Sequence, residues 1–260
     1  MAELLLGPLL RFVSEDQATI WVETDSPCEV NVLGSSALTF HVEGHHYALV
    51  VVEGLIPATT YQYQVDLDGR QVWPPADSEW PAPCLRTMTG DEDVTIVFGS
   101  CRVSVPHEPP FTLTKDEDKE NGREIDALYA LAHRIRELPR EEWPDLLLMI
   151  GDQVYADEDA PRTREFIRGR RDVTRAPFEE VADFEEYTHL YHETWGNEVI
   201  RWLFSTVPTA MLFDDHDTHD DWNISESWCE EMERQPWWEP RIEGALLSYW
   251  IYQHIGNLSP

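Results

Sequence analysis

Basic residues are scarce in this chain: 19 Lys and Arg stand against 50 Asp and Glu, a formal charge of −31. A surface of that sign repels nucleic-acid backbones and anionic membranes outside any local basic patch, so a nucleic-acid polymer is not an expected partner. Long apolar runs are also missing. None approaches the ~20 residues that cross a bilayer, so no membrane partner is expected. The four cysteines, Cys28, Cys84, Cys101 and Cys229, contain no Cys-x-x-Cys pair, which argues against a structural zinc site and a disulfide scaffold. The start, Met1-Ala2-Glu3-Leu4-Leu5-Leu6-Gly7, has no basic n-region and does not read as a signal peptide. The cytoplasm is the expected compartment. What is present is a chain of 260 residues, 42% hydrophobic and with 11 Trp, enough to bury the core of one large domain or two ordinary ones.

Two halves read differently. Residues 1–90 show strand-like alternation at 18–23, 29–33, 47–52 and 61–65, with turn signals at Ser26-Pro27 and Asp68-Gly69 between them. The stretch Leu55-Ile56-Pro57-Ala58-Thr59-Thr60-Tyr61-Gln62-Tyr63 resembles the tyrosine corner of fibronectin type III and related sandwiches, with Trp21 as an expected core aromatic. Pro74, Pro75, Pro81 and Pro83 form a connector. From about Asp91 strands alternate with helices. Residues 94–99 form an apolar strand expected inside a covered sheet, and 123–138 carries Ile125, Leu128, Leu131, Ile135 and Leu138 at helical spacing. A second strand is expected at 146–150, a largely helical stretch at 178–202, a third strand at 207–213 and a helix at 244–255. The expected architecture is an all-β sandwich (1–90) followed by an α/β domain (91–260). With three strong strands after Asp91, that second domain reads as the amino-terminal part of a larger one.

Chemistry gathers at the strand ends. Met211-Leu212-Phe213 delivers Asp214-Asp215-His216-Asp217, with Asp220, Asp221 and Asn223 close behind, and the 146–150 strand runs into Gly151-Asp152-Gln153-Val154-Tyr155-Ala156-Asp157. The strand at 94–99 ends in Gly99-Ser100-Cys101-Arg102. Carboxyl ends of strands converge on the ligand site in α/β folds. Oxygen ligands suit hard cations, and a neutral imidazole binds metal or handles protons. A metal-dependent active site is the leading expectation. Each residue also has a plain alternative: Cys101 as a small buried hydrophobe, Gly151-Asp152 as a turn cap, Tyr155 as packing, Asp157 and Asp159 as solvated loop acids, and His189 and His192 as helix-surface residues.

In their order and strand context, Gly-Ser-Cys, Gly-Asp-x-x-Tyr and Asp-Asp-His make the chain similar to the alkaline phosphatase D (PhoD) family of metallophosphatases, within the calcineurin-like phosphoesterases. The resemblance implies a metallophosphatase-type β-sandwich core flanked by helices, and hydrolysis of small phosphate esters with ferric iron (Fe3+) and calcium (Ca2+), other divalent metals being an alternative. It implies that Asp152 bridges the metals, that Cys101, Tyr155 and Asp215 are further ligands, that Asn223 serves the second metal, and that His216 stands beside the scissile phosphate. Thiolate and phenolate favour a highly charged transition metal, and oxygen-only ligands favour calcium. Arg102 is expected to clamp phosphoryl oxygens, and His216 to protonate the leaving oxygen.

The chain departs from the family in having Asp217 where many relatives have Glu, and Asp220-Asp221-Trp222-Asn223 where others have consecutive amides. The family's late Gly-Asp-x-His motif has no match after Asn223, His254 lying in a helical context. A chain without that motif holds part of the metal site and is expected to be inactive alone. Two other readings stay open: a non-catalytic calcium-binding interaction module with a fibronectin-like domain, and a nucleotidase or nuclease, for which Arg162, Arg164, Arg168, Arg170, Arg171 and Arg175 would supply the basic surface. The favoured reading of that basic run is a solvated or salt-bridged helix.

Overall fold

Alternating apolar residues carry the first part of the chain into ten strands: β1 (Leu4–Val13), β2 (Gln17–Thr24), β3 (Glu29–Val32), β4 (Ser35–Leu38), β5 (Phe40–Val42), β6 (His45–Glu53), β7 (Thr60–Gln62), β8 (Val65–Leu67), β9 (Arg70–Trp73) and β10 (Cys84–Arg86). The computed structural model describes residues 1–90, 93–158 and 160–260. Asp91, where the sequence pattern changes, and Asp159, expected as a loop acid, lie outside them. One antiparallel sheet has the order β1-β2-β6-β5 and a second the order β4-β3-β8-β9, while β7 pairs with β10. The expected strand at 61–65 is therefore two, because the chain crosses from β10 to β3 between Gln62 and Val65.

The period of two along a strand sends alternate side chains to opposite faces, and β2 buries both. Ile20 and Val22, with Leu10 and Val50, meet Val30, Val32, Val65 and Leu67 of the second sheet in one core. Trp21 points the other way. Instead of filling the sandwich, it packs on Tyr47 and Tyr252, with ring centroids 5.8 and 5.4 Å away, in a second core shared with the helices. The first sheet is thus covered on both faces, which the sequence alternation alone did not reveal. At the corner after β6, the Tyr61 hydroxyl accepts the Ile56 N–H at 2.8 Å, the local contact expected of a tyrosine corner.

The remainder is built on a parallel sheet, β11 (Ile96–Gly99), β12 (Leu146–Ile150) and β13 (Thr209–Leu212), in that order. Its helices are α1 (Ala127–Ile135), α2 (Pro161–Arg170), α3 (Phe184–Trp195), α4 (Glu198–Thr206), α5 (Glu226–Met232) and α6 (Trp238–Ser248). Caps set shorter helices than periodicity suggests. Asp126 accepts the Leu128 and Tyr129 N–H groups, so α1 starts four residues later than 123. The stretch 178–202 divides because Asp183 caps α3 and Asn197 caps α4. The expected 244–255 helix starts earlier, as α6, and ends in a π-helical turn, Tyr249–His254. The arginines at the end of α2 and just past it are neutralised nearby: Arg168 pairs with Glu179 (2.7 Å), Arg170 with Asp183 (2.5 Å) and Arg171, the residue after the helix, with Glu186 (2.9 Å).

The parallel sheet differs from expectation in one respect. Leu147, Met149 and Met211 face the helices and are buried, but Ile96, Phe98, Ile150 and Leu212 are 48%, 70%, 39% and 51% exposed. By register these last four share the opposite face, and no helix among the described residues covers it. The expectation of a fully covered β11 is corrected accordingly. The outer edge of β13 is closed by Asn257, whose side-chain amide accepts from Met211 N (3.0 Å) and donates to Met211 O (2.8 Å), one way of blunting a sheet edge.

Candidate metal centre

Three strand ends meet as β11, β12 and β13 run parallel. Gly151 makes the meeting possible. Its φ is +118°, and an added Cβ would lie 2.6 Å from the Asp214 Cβ, so the chain after β12 can touch the turn after β13 only where no side chain intervenes. Cys101 and Asp152 also take positive φ, 57° and 53°, uncommon for side-chain-bearing residues and typical of functional turns. The backbones are tied together: Cys101 N–H donates to Gly151 O and Arg102 N–H to Asp152 O, both at 3.2 Å.

Asp152 is buried, with Oδ2 3.2 Å from the Cys101 Sγ and Oδ1 accepting the His216 N–H at 3.2 Å. Burial pushes its carboxyl up, opposed by the Cys101 hydrogen bond and His216, and reinforced by Asp214 and Asp215. Ligand atoms of Asp152, Asp215 and His216 all lie within 4.8 Å of one another, and so do those of Asp215, Asp220 and Asp221. The two groups share Asp215. Tyr155 stacks on the His216 ring at 4.4 Å, and burial, then Asp152 and Cys101, push its phenol well above the usual tyrosine range. Asp152 and Tyr155, pushed up by burial and by acidic neighbours, stand with the Cys101 thiol and the Asp215 carboxylate as a donor set whose charged forms a cation would favour, so the residues present fit a metal.

The turn after β13 is rigid. Asp214 and Asp217 form a reciprocal capping box. Asp217 is buried, which pushes its carboxyl up to about 7, and it accepts from Gln253 Nε2 at 2.7 Å. Gln253 sits in the π-helical turn and also donates to the Tyr191 hydroxyl (2.8 Å), so the irregular helix end serves to brace the site. Asp157 holds His216 Nδ1 at 3.0 Å and accepts the Asp220 N–H at 2.6 Å. Burial pushes the His216 pKa down, and the Asp157 hydrogen bond and charge more than reverse it, for a net rise.

Of the residues singled out in the sequence, Cys101, Asp152, Tyr155, Asp215 and His216 are brought together. Arg102 and Asn223 are placed differently. Arg102 Nε donates to Asp126 at 2.7 Å and Nη1 to the Thr194 carbonyl at 3.0 Å, so the start of α1 and the end of α3 hold two of the three nitrogens expected to clamp a phosphoryl group, while Nη2 is buried without a partner among the described residues. The Asn223 carbonyl oxygen lies 3.1 Å from the Cys229 Sγ, on an exposed turn with φ 62°. Asp157, read as a solvated loop acid, has 7% of its side chain exposed. Its signal was position: it lies two residues beyond Tyr155 in the same ligand-bearing turn.

The sequence profile described as PhoD-like phosphatase matches residues 128–255, and one described as a domain of unknown function (DUF7800) matches residues 1–85. The first of these spans takes in Asp152, Tyr155, Asp215, His216 and Asn223, and leaves Cys101 and Arg102 outside. A solved structure titled "Structure of PhoD" superimposes on 98% of this chain with a TM-score of 0.61 at 16% identity. The chain spans 46% of that chain. No curated protein matches.

Proposed function

The chain belongs to the PhoD-like phosphatase family, and from that premise we propose that its strand-end cluster hydrolyses phosphate esters by metal activation of water. The observation that carries the reading is the pair of ligand groups sharing Asp215, one with Asp152 and His216 and one with Asp220 and Asp221. A shared carboxylate suits two neighbouring cations, which when bound would supply charge stabilisation to attacking and leaving oxygens. On this reading Asp152, Cys101 and Tyr155, with the shared Asp215, would hold ferric iron, since thiolate and phenolate favour a highly charged transition metal. The oxygen-only group of Asp215, Asp220 and Asp221 holds calcium. It takes the place assigned from sequence to Asn223. The substrate is a small phosphate mono- or diester, consistent with an acidic surface whose arginines at the end of α2 and just past it are paired.

His216 then has its Nδ1 fixed by Asp157, and Nε2, 3.8 Å from Asp220 Oδ1, is the atom left to act. It gives a proton to the leaving oxygen as the ester P–O bond breaks, and water supplies the oxygen that remains on phosphorus. Asp152 orients the turn through the His216 N–H. Arg102 anchors the Cys101 loop to Asp126 and the end of α3 through Nε and Nη1, which leaves Nη2 as its one nitrogen without a partner among the described residues. Residues 1–90 and 91–260 are taken as two domains welded by the Trp21–Tyr252 contact, the second contributing the site.

The reading is tested by measuring bound metals and visible absorption on the purified full-length protein, together with turnover of nitrophenyl phosphate and bis-nitrophenyl phosphate. The expected result is stoichiometric iron with a charge-transfer band that is lost in Tyr155→Phe or Cys101→Ala, and metal-dependent release of nitrophenol. Calcium binding abolished by Asp152→Ala, with no ester cleaved in any metal, would replace it by a non-catalytic binding module.

A further inference from the structure

We propose that the cleft at the amino-terminal end of the parallel sheet, against β1, binds a small tetrahedral oxyanion such as phosphate. The cleft has a volume of about 220 Å3, several times the ~30 Å3 share of one water molecule. Leu146 and Ala210, at the start of β12 and β13, line it, so it lies at the end of the strands opposite the ligand cluster, on the order of 15 Å away by strand length.

Four buried polar atoms without a partner among the described residues belong to residues lining this one cleft: Arg11 Nη1, Arg140 Nε and Nη1, and Thr89 Oγ1. Buried polar groups are nearly always satisfied, and a cluster of exceptions calls for a bound species. All four can donate, and three are on guanidinium groups. Arg11 is 2% exposed. Its other nitrogens meet only neutral oxygens: Nε donates to Ile255 O at 3.2 Å, and Nη2 to Asn257 Oδ1 at 2.6 Å and to Gln253 O. With no carboxylate paired to it among the described residues, burial pulls its pKa down to about 9, a cost that a bound anion would remove. Arg140 is held in place by stacking over the Trp143 ring at 4.9 Å, which leaves its edge free to donate.

A third arginine, Arg86, also lines the cleft and has a partner of its own, so a protein with 19 bases against 50 acids gathers three of its arginines at one small cavity, Arg11 and Arg140 supplying the unpartnered donors. Two carboxylates are there as well. Asp145 Oδ2 accepts the Thr95 N–H at 2.9 Å, and among the described residues neither Asp145 nor Asp93 forms an ion pair with Arg11 or Arg140. Planar guanidinium edges with a hydroxyl form the donor set that recognises phosphate and sulfate.

Inorganic phosphate titrated calorimetrically into the EDTA-treated full chain tests it, since chelation silences any metal-borne phosphate site. The expected result is one saturable site, with Asp152→Ala binding as the unsubstituted chain does. Arg140→Gln should raise Kd at least about tenfold, the loss of a charge-assisted pair, with an unchanged circular dichroism spectrum. Thr89→Val gives a second, milder test and should weaken binding severalfold. No phosphate binding by the metal-free chain overturns the proposal, as does binding that both Arg140→Gln and Thr89→Val leave unaltered.

Discussion

Asp157 faces His216 with both carboxylate oxygens, 3.0 and 3.1 Å from Nδ1. That grip fixes the ring and turns Nε2 toward Asp220, whose Oδ1 is 3.8 Å away, in the way that outer partners hold metal-site histidines. Asp157→Ala is expected to lower kcat about 10- to 100-fold, the usual cost of losing such a partner, with little change in KM. Asp157→Asn should recover part of the loss, because its amide carbonyl still accepts the Nδ1–H. Steady-state kinetics with metal content measured in parallel checks this, and metal loss in both variants would mean that Asp157 instead holds the loop through Asp220.

Gly151→Ala should damage the site from the backbone. The positive φ at this position costs a substituted residue about 1–3 kcal/mol, before the 2.6 Å clash with Asp214 is counted. The expected result is a melting temperature lower by several degrees, since about 1 kcal/mol corresponds to ~2–4 °C in a chain of this size, with weakened metal binding. Thermal melts with and without added metal measure it. An unchanged midpoint would show that the turn opens without cost.

Much of the centre was legible because its residues sit at the ends of apolar runs. Asp152 and Asp215 could be placed together once 146–150 and 207–213 were read as parallel strands. Relationships that depend on distant packing were not. The hold of Asp157 on His216 joins residues 59 positions apart, and the bracing of Asp217 by Gln253 needs an irregular helix end that periodicity does not announce. Trp21 was expected in the core of the sandwich, because alternation shows that a strand has two faces and not that both are buried. Arg102 looked available because nothing local shows that Asp126 would claim it.

A carboxylate under the helices makes the joint between the two parts of the chain pH-sensitive. Glu23 on β2 is fully buried and meets His192 Nε2 at 2.8 Å, Tyr252 Oη at 3.0 Å and His45 Nδ1 at 3.3 Å. Burial pushes its pKa up, but the histidine hydrogen bonds prevail and bring it below the usual value. The Glu23 hydrogen bond, working against burial and helped by Glu185, raises His45 to about 8. A raised histidine contributes stability below its unfolded pKa and loses it as pH rises through the folded value; a lowered carboxyl does the reverse on the acid side. Stability from this joint should therefore hold in mildly acidic solution, fade from about pH 6.5 to above 8, and fall again as acid protonates Glu23. For His45 the effect is on the order of 1 kcal/mol after screening at its partly exposed ring. Melts across that range, with His45→Gln as the control expected to flatten the alkaline fall, decide the point; an equally steep fall in His45→Gln would place the cause elsewhere.

The bare face of the parallel sheet sets a limit on how this chain behaves by itself. Ile96, Phe98, Ile150 and Leu212 lie on one side of adjacent strands, a contiguous apolar patch of the kind that drives association. The outer edge of β11 adds unpaired backbone groups, whereas β13 is capped by Asn257, so association should proceed through the β11 side. The chain is expected to self-associate reversibly at concentrations on the order of 100 µM, despite a net charge of −31 that opposes it. Added salt should strengthen the association by screening that charge. Phe98→Glu should keep the chain monomeric in the same light-scattering experiment, because it places a charge in the middle of the patch next to the open edge, while Leu38→Glu, an exposed residue on β4 of the other sheet, should not. A wild-type chain that stays monomeric in high salt would show that the exposed rows do not act as one surface.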